Sequence, residues 1–145
     1  MIDVVQYEKG DVYLLQPKDI YDGDATVQQR TELVASNPSS RTFTLKSNGK
    51  PIAVLGCTPC VGKTWELWAV MGVEINHSKI EFSKICRRLL ESSAEVFGVK
   101  RFQSLCMDKF KDGERWFKFL GFQKEGTLRQ FGEDGQDYHL YARLF

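Results

Sequence analysis

Residues 41–47 (R-T-F-T-L-K-S) alternate strictly between polar and apolar side chains, and Asn48-Gly49 follows them at once. A period of two places Phe43 and Leu45 on one face of an extended strand. Asn-Gly supplies the two positive φ angles of a type I′ turn, whose twist matches that of paired strands. Residues 51–57 (P-I-A-V-L-G-C) are therefore predicted to return antiparallel, and the fold must be built on a sheet that contains this hairpin. A second turn is expected at residues 58–63. Residues 64–73 are almost wholly apolar and read as a central strand buried on both faces.

The remaining segments interleave with that sheet. Residues 2–7 (I-D-V-V-Q-Y) are β-branched and end before Gly10-Asp11, which predicts a first strand. Residues 11–16 suit a helical turn that stops before Pro17, and residues 25–36, with Val27, Leu33 and Val34, suit a helix that stops at Asn37-Pro38. Over residues 80–97 the apolar positions Ile80, Ile85, Leu89, Leu90, Val96 and Phe97 recur at helical spacing, with Lys84, Arg87, Arg88 and Glu91 opposite and Gly98 as the stop. Residues 99–107 read as a strand and residues 113–120 as a short helix closed by Gly121. Residues 122–129 and 137–144 read as a final pair of strands joined through residues 132–135. The predicted order is β, α, β-hairpin, β, α, β, α, β, β, an α/β or α+β sheet with helices packed on it.

Charge and length narrow the function classes. The chain has 145 residues with 20 Lys+Arg against 19 Asp+Glu, a formal net charge of +1. It has no global field to draw it onto nucleic acid or an anionic membrane. No apolar run reaches the roughly 18–20 residues of a membrane-spanning helix, and the first residues lack the basic and apolar regions of a signal peptide. A cytoplasmic location and a single domain over residues 1–145 are the expectations. Cys57, Cys60, Cys86 and Cys106 are too sparse for a disulfide scaffold and are read as reduced thiols.

Residues 114–126 (E-R-W-F-K-F-L-G-F-Q-K-E-G), with the tail 127–144 (T-L-R-Q-F-G-E-D-G-Q-D-Y-H-L-Y-A-R-L), resemble the late helix, strand and final hairpin of the Gcn5-related N-acetyltransferase (GNAT) superfamily. The element order continues the likeness over nearly the whole chain. Residues 37–56, the strand around Trp68 and the Arg87-Arg88-Leu89-Leu90 helix are similar, more narrowly, to a GNAT-like family of internal virion proteins of short-tailed phages. The resemblance implies a mixed, mostly antiparallel sheet of about six to seven strands flanked by about four helices. It also implies attack of a substrate amine on the thioester of acetyl-CoA as cofactor.

That chemistry has three requirements. The family's pyrophosphate cradle, Gln/Arg-x-x-Gly-x-Gly/Ala at the start of the long helix, uses small residues so that phosphate reaches backbone N–H groups. The matching positions here are His77, Ser78, Lys79, Ile80, Glu81 and Phe82, with Ile80 and Phe82 where the motif has no bulk and Glu81 adding like charge. A base must take the amine proton. The resemblance places Glu66 in that role, and a solvated or ion-paired strand carboxylate is its alternative. The leaving thiolate is usually assisted by a tyrosine, but Phe117 stands at that position and has no proton to give. The family holds the pantetheine arm along the central strand, which maps onto the stretch with Val70 and Gly72. There Gly72 reads either as a bulge or close backbone approach, or as a weak point in a strand.

Other features have competing readings. Cys57-Thr58-Pro59-Cys60 is a C-x-x-C, but it has no second pair, and His77 and His139 stand alone, so no metal is assigned. Lys79, Lys84, Arg87, Arg88, Lys100 and Arg101 form a basic concentration that suits phosphate or, more commonly, a solvated helix face. Trp65, Trp68 and Trp116 suit core or cleft positions. Two functions follow: an acyltransferase acting on a small-molecule or protein amine, or a phage-encoded protein of the same fold that binds a phage or host protein without turnover.

Overall fold

The computed structural model describes residues 1–18 and 26–145. Its elements are β1 (Ile2–Gln6), α1 (Thr26–Ala35), β2 (Arg41–Ser47), β3 (Lys50–Val61), β4 (Thr64–Met71), α2 (Lys79–Phe97), β5 (Arg101–Met107), α3 (Lys111–Phe119), β6 (Gln123–Leu128) and β7 (Tyr138–Leu144). Short 3-10 turns occupy Asp11–Leu14 and Val73–His77. The order agrees with the sequence reading; Ala25, where the first helix was expected to begin, lies outside the described residues. The strand order is β1-β2-β3-β4-β5-β7-β6. Pairs β1/β2, β2/β3, β5/β7 and β6/β7 are antiparallel, and β4/β5 is parallel. Among the described residues no helix is long and apolar enough to cross a membrane.

The chain divides into two compact units, Met1–Pro59 with Leu67–Phe82, and Cys60–Glu66 with Ser83–Phe145, so that β4 and α2 each contribute to both. In the first unit the Asn-Gly turn forms as expected, with φ of 51° at Asn48 and 76° at Gly49. Phe43 pairs with Leu55 and Leu45 with Ala53. The alternation of β2 does not leave a polar face, because Thr44 is fully buried and its hydroxyl donates to Asp11 Oδ2 at 2.6 Å. Asp11, itself buried, also accepts the Glu8 N–H at 3.0 Å. A buried carboxylate is tolerated only with such donors. Beside it the Tyr7 hydroxyl donates to Glu32 of α1, and burial followed by that hydrogen bond pushes the phenol well above its ordinary range.

The expected turn at residues 58–63 shrinks to Gly62-Lys63, and β3 continues to Val61. The pairing of β3 with β2 ends at Cys57 opposite Arg41, so Pro59, which has no N–H, forfeits no bond to β2. Gly62 adopts φ of 55°, which a two-residue reversal requires. β4 is also less buried than its apolar sequence predicts, since Thr64 to Ala69 are half-exposed and only Val70 and Met71 are buried. Its tryptophans explain the run. Trp65 stacks on Phe97 at 5.3 Å, while the Trp68 ring covers Gly56 and its Nε1–H donates to Thr58 Oγ1 at 3.2 Å.

In the second unit both helices end as their glycines predict. Gly98 at φ 65° lets the Val99 N–H reach the Ala94 carbonyl at 2.9 Å, and Gly121 at φ 88° lets the Phe122 N–H reach the Phe117 carbonyl at 2.9 Å. The buried stripe of α2 is Phe82, Cys86, Leu90 and Ala94, spaced by four residues. Ile80 and Val96, expected on the apolar side, are each 75% exposed. At about 100° per residue, Ile80 and Val96 each stand two residues beyond an end of that stripe and so on the opposite side of the helix. The helix predicted from Gly113 begins instead at Lys111. Gly113 lies inside it because a Cβ there would meet Phe110 at 2.5 Å and Cys106 Sγ at 2.9 Å.

Candidate active site

Glu66 is the third residue of β4 and the last at which that strand pairs with β5, opposite Gln103. It is half-buried, and the Cys60 thiol donates to its Oε2 at 3.8 Å. Partial burial first, and the Glu66 charge second, push the Cys60 thiol above its ordinary range, so the sulfur keeps its proton and remains a donor.

The other residues matched to the family's cofactor side lie between β4 and the first turn of α2. Val70 is 3% exposed and packs with Val12, Leu15 and Val54, so its side chain belongs to the core. Gly72 is extended and buried; its N–H donates to the Ile52 carbonyl at 2.8 Å, and Pro17 bridges to it from the other side. An added Cβ would lie 2.6 Å from Glu74 Oε2 and 2.9 Å from Ile52 O, which makes this the close-approach glycine rather than a weak point.

His77 closes the 3-10 turn and is exposed, and Ser78 takes the N-cap position of α2, with its carbonyl accepting the Phe82 N–H at 2.9 Å. The N–H groups of a helix's first turn have no acceptor within the helix, and the dipole adds positive potential there. Glu81 Oε1 accepts the Ile2 N–H at 2.8 Å and ties β1 to α2. Phe82 is 2% exposed and spends its bulk on the core; Ile80 points outward and stands at the edge of the turn. Ser78, Lys79 and His77 thus stand at the start of α2, and Ile80 and Phe82 occupy the positions where the resembled cradle has glycines.

Phe117 is a core residue. It is 7% exposed, stacks on Tyr141 at 5.0 Å with ring planes 9° apart, and meets Phe122 at 5.3 Å. Burial pushes the neighbouring Tyr141 phenol upward, so it too stays protonated.

The two cysteines of the C-x-x-C differ in exposure. Cys57 is buried, with its thiol pushed up to about 12 by burial, while Cys60 is exposed, and residues three apart on a strand face opposite sides. Cys86 and Cys106 are buried as well. Native protein treated with a maleimide is expected to carry one adduct, at Cys60, by mass spectrometry; modification of Cys57 at the same rate would contradict this burial pattern. Within the basic concentration, Arg87 pairs with Glu91 at 3.2 Å and Arg101 with Glu125 at 2.6 Å, and the remaining cations lie on exposed positions, a solvated face. His139, alone in the sequence, is brought within 2.6 Å of Asp108 by the pairing of β5 with β7. No local spacing could have announced that contact.

No family model and no curated protein matches the sequence. Solved structures do. A candidate phosphinothricin N-acetyltransferase is 18% identical with a TM-score of 0.82, over 100% of this chain and 99% of that one. A chimeric spermidine N-acetyltransferase from Vibrio cholerae is 15% identical with a TM-score of 0.78, over 99% and 95%. A GNAT-family acetyltransferase from Streptococcus pneumoniae is 17% identical with a TM-score of 0.74, over 100% and 99%. The fold is that of the GNAT acetyltransferases, a mixed α/β fold on a seven-stranded, mostly antiparallel sheet.

Proposed function

We propose that the protein is an acyl-CoA-dependent N-acyltransferase acting on an amine. The observation that carries the reading is the whole-chain likeness to acetyltransferases, together with a half-buried carboxylate, Glu66, on the strand that leads into α2. Acetyl-CoA, when bound, supplies an activated acyl carbonyl. The chain's own residues do the rest. Ser78, Lys79 and His77 hold the diphosphate at the start of α2, and Glu66 accepts the proton that an ammonium must lose before it is nucleophilic. The Cys60 hydrogen bond fixes one Glu66 oxygen and leaves the other for that proton. Phe117 has no proton to give, so this position would supply no acid for a leaving thiolate. Spermidine and phosphinothricin, which the similar structures are named for, are the first to test.

A second reading rests on Ile80, Phe82 and Phe117, which stand where the resembled motif has glycines and tyrosine. In it the protein is a phage-encoded relative that binds a phage or host protein and has lost turnover. Thermal unfolding with acetyl-CoA separates the two, because a ligand that binds only the folded state stabilises it by about 2.7 kcal/mol at a hundredfold excess over Kd. A saturable rise at micromolar acetyl-CoA supports the enzyme; no rise at millimolar concentration removes it and leaves the binding protein.

A further inference from the structure

Asp108 follows β5, Glu114 lies in the early part of α3, and His139 is the second residue of β7. His139 Nε2 is 2.6 Å from Asp108 Oδ1 and 3.9 Å from Glu114 Oε1, and the three ligand atoms all lie within 4.8 Å of one another. The imidazole is only 7% exposed, against 26% for Glu114 and 51% for Asp108, so the cluster is a buried nitrogen at the floor of a solvent-facing pair of oxygens. On its far side His139 Nδ1 is 3.0 Å from Thr127 Oγ1 of β6. A fourth element thus orients the ring.

We infer that Asp108, Glu114 and His139 form a binding site for a borderline divalent cation of the zinc class. Ligands about 2.0–2.1 Å from a tetrahedral zinc sit roughly 3.3 Å apart, a spacing that falls between the two distances His139 makes here. The set of one nitrogen and two carboxylate oxygens favours zinc, cobalt or nickel over magnesium and calcium, which prefer oxygen alone. When the Thr127 hydroxyl accepts the Nδ1–H, the Nε2 lone pair faces the carboxylates. This hydroxyl is the kind of outer partner that sets the tautomer of a ligating histidine.

The cation now nearest is the Lys111 ammonium, 3.4 Å from Asp108 and 3.8 Å from Glu114. Its side chain is 63% exposed, so it can swing into water at small cost and competes for the site. Cys106, opposite His139 in the β5/β7 ladder, gives its thiol to the Met107 and Phe110 carbonyls at 3.6 and 3.8 Å and is not a ligand. Water would complete the coordination.

The test uses the full chain, stripped by a chelator and titrated with zinc chloride while thermal unfolding is followed, with cobalt as the spectroscopic substitute. One saturable site is expected, with cobalt bands of a tetrahedral or five-coordinate ion and no sulfur-to-metal charge transfer. Because His139→Gln alters a buried position, two exposed variants carry the decision. Asp108→Asn is expected to weaken zinc binding by about tenfold or more, as removal of a ligand does, and Lys111→Ala to tighten it several-fold. The absence of a saturable shift, a sulfur charge-transfer band, or unchanged affinity in both variants would overturn the site.

Discussion

Glu66→Gln is expected to lower turnover of any amine this protein acetylates by about 10²–10⁴, the range a positioned general base contributes. The substitution keeps the side chain's shape and its acceptor for the Cys60 thiol, so the melting temperature should move little. Acetyl-CoA binding should also persist, because the diphosphate is assigned to the first turn of α2 and not to β4. The loss should be largest at neutral pH, where the acceptor is an ammonium, and should shrink as the solution itself deprotonates the amine. Full activity with glutamine at position 66 would remove the carboxylate from the mechanism; loss of both activity and thermal stability would mean that Glu66 is structural.

Phe117→Ala carries the largest expected cost in stability. Its ring is buried between Tyr141, Phe122 and Trp116, and removing a phenylalanine from such a cluster costs about 3–5 kcal/mol through lost transfer energy and the cavity left behind. For a chain of this size that lowers the melting temperature by roughly 10 °C or more. Chemical denaturation should show the midpoint fall with little change in slope. A cost below about 1 kcal/mol would mean that the cavity collapses or that the ring stacks less tightly than the 5.0 Å spacing implies. Phenylalanine at this position thus has a structural reason that is independent of any role for a tyrosine.

Much of the scaffold was legible in the sequence. Strict alternation before Asn48-Gly49 led to a hairpin with both φ angles positive, and Gly98 and Gly121 ended their helices as glycines do. Local geometry decides these features, so local sequence reports them. The misreadings share another cause. The apolar run of β4 suggested burial on both faces, and Ile80 and Val96 suggested a wider apolar stripe on α2, yet exposure depends on which neighbouring elements arrive. A single strand or helix carries no record of them.

The candidate site divides in the same way. The position of Glu66 and the first turn of α2 came from element order and resemblance to a family, and both can be read along the chain. That Glu81 ties down β1, that Val70 is core and that Gly72 is held between Ile52 and Pro17 needed contacts across the first unit. The clearest case is Asp108, Glu114 and His139, which lie just after β5, on α3 and on β7 and showed no spacing signal. Sequence by itself determined the kinds of elements, their order and their ends, because backbone preference acts over a few residues. Only the tertiary structure decided which charges meet, because strand register, here Cys106 opposite His139, brings together residues that the chain keeps far apart.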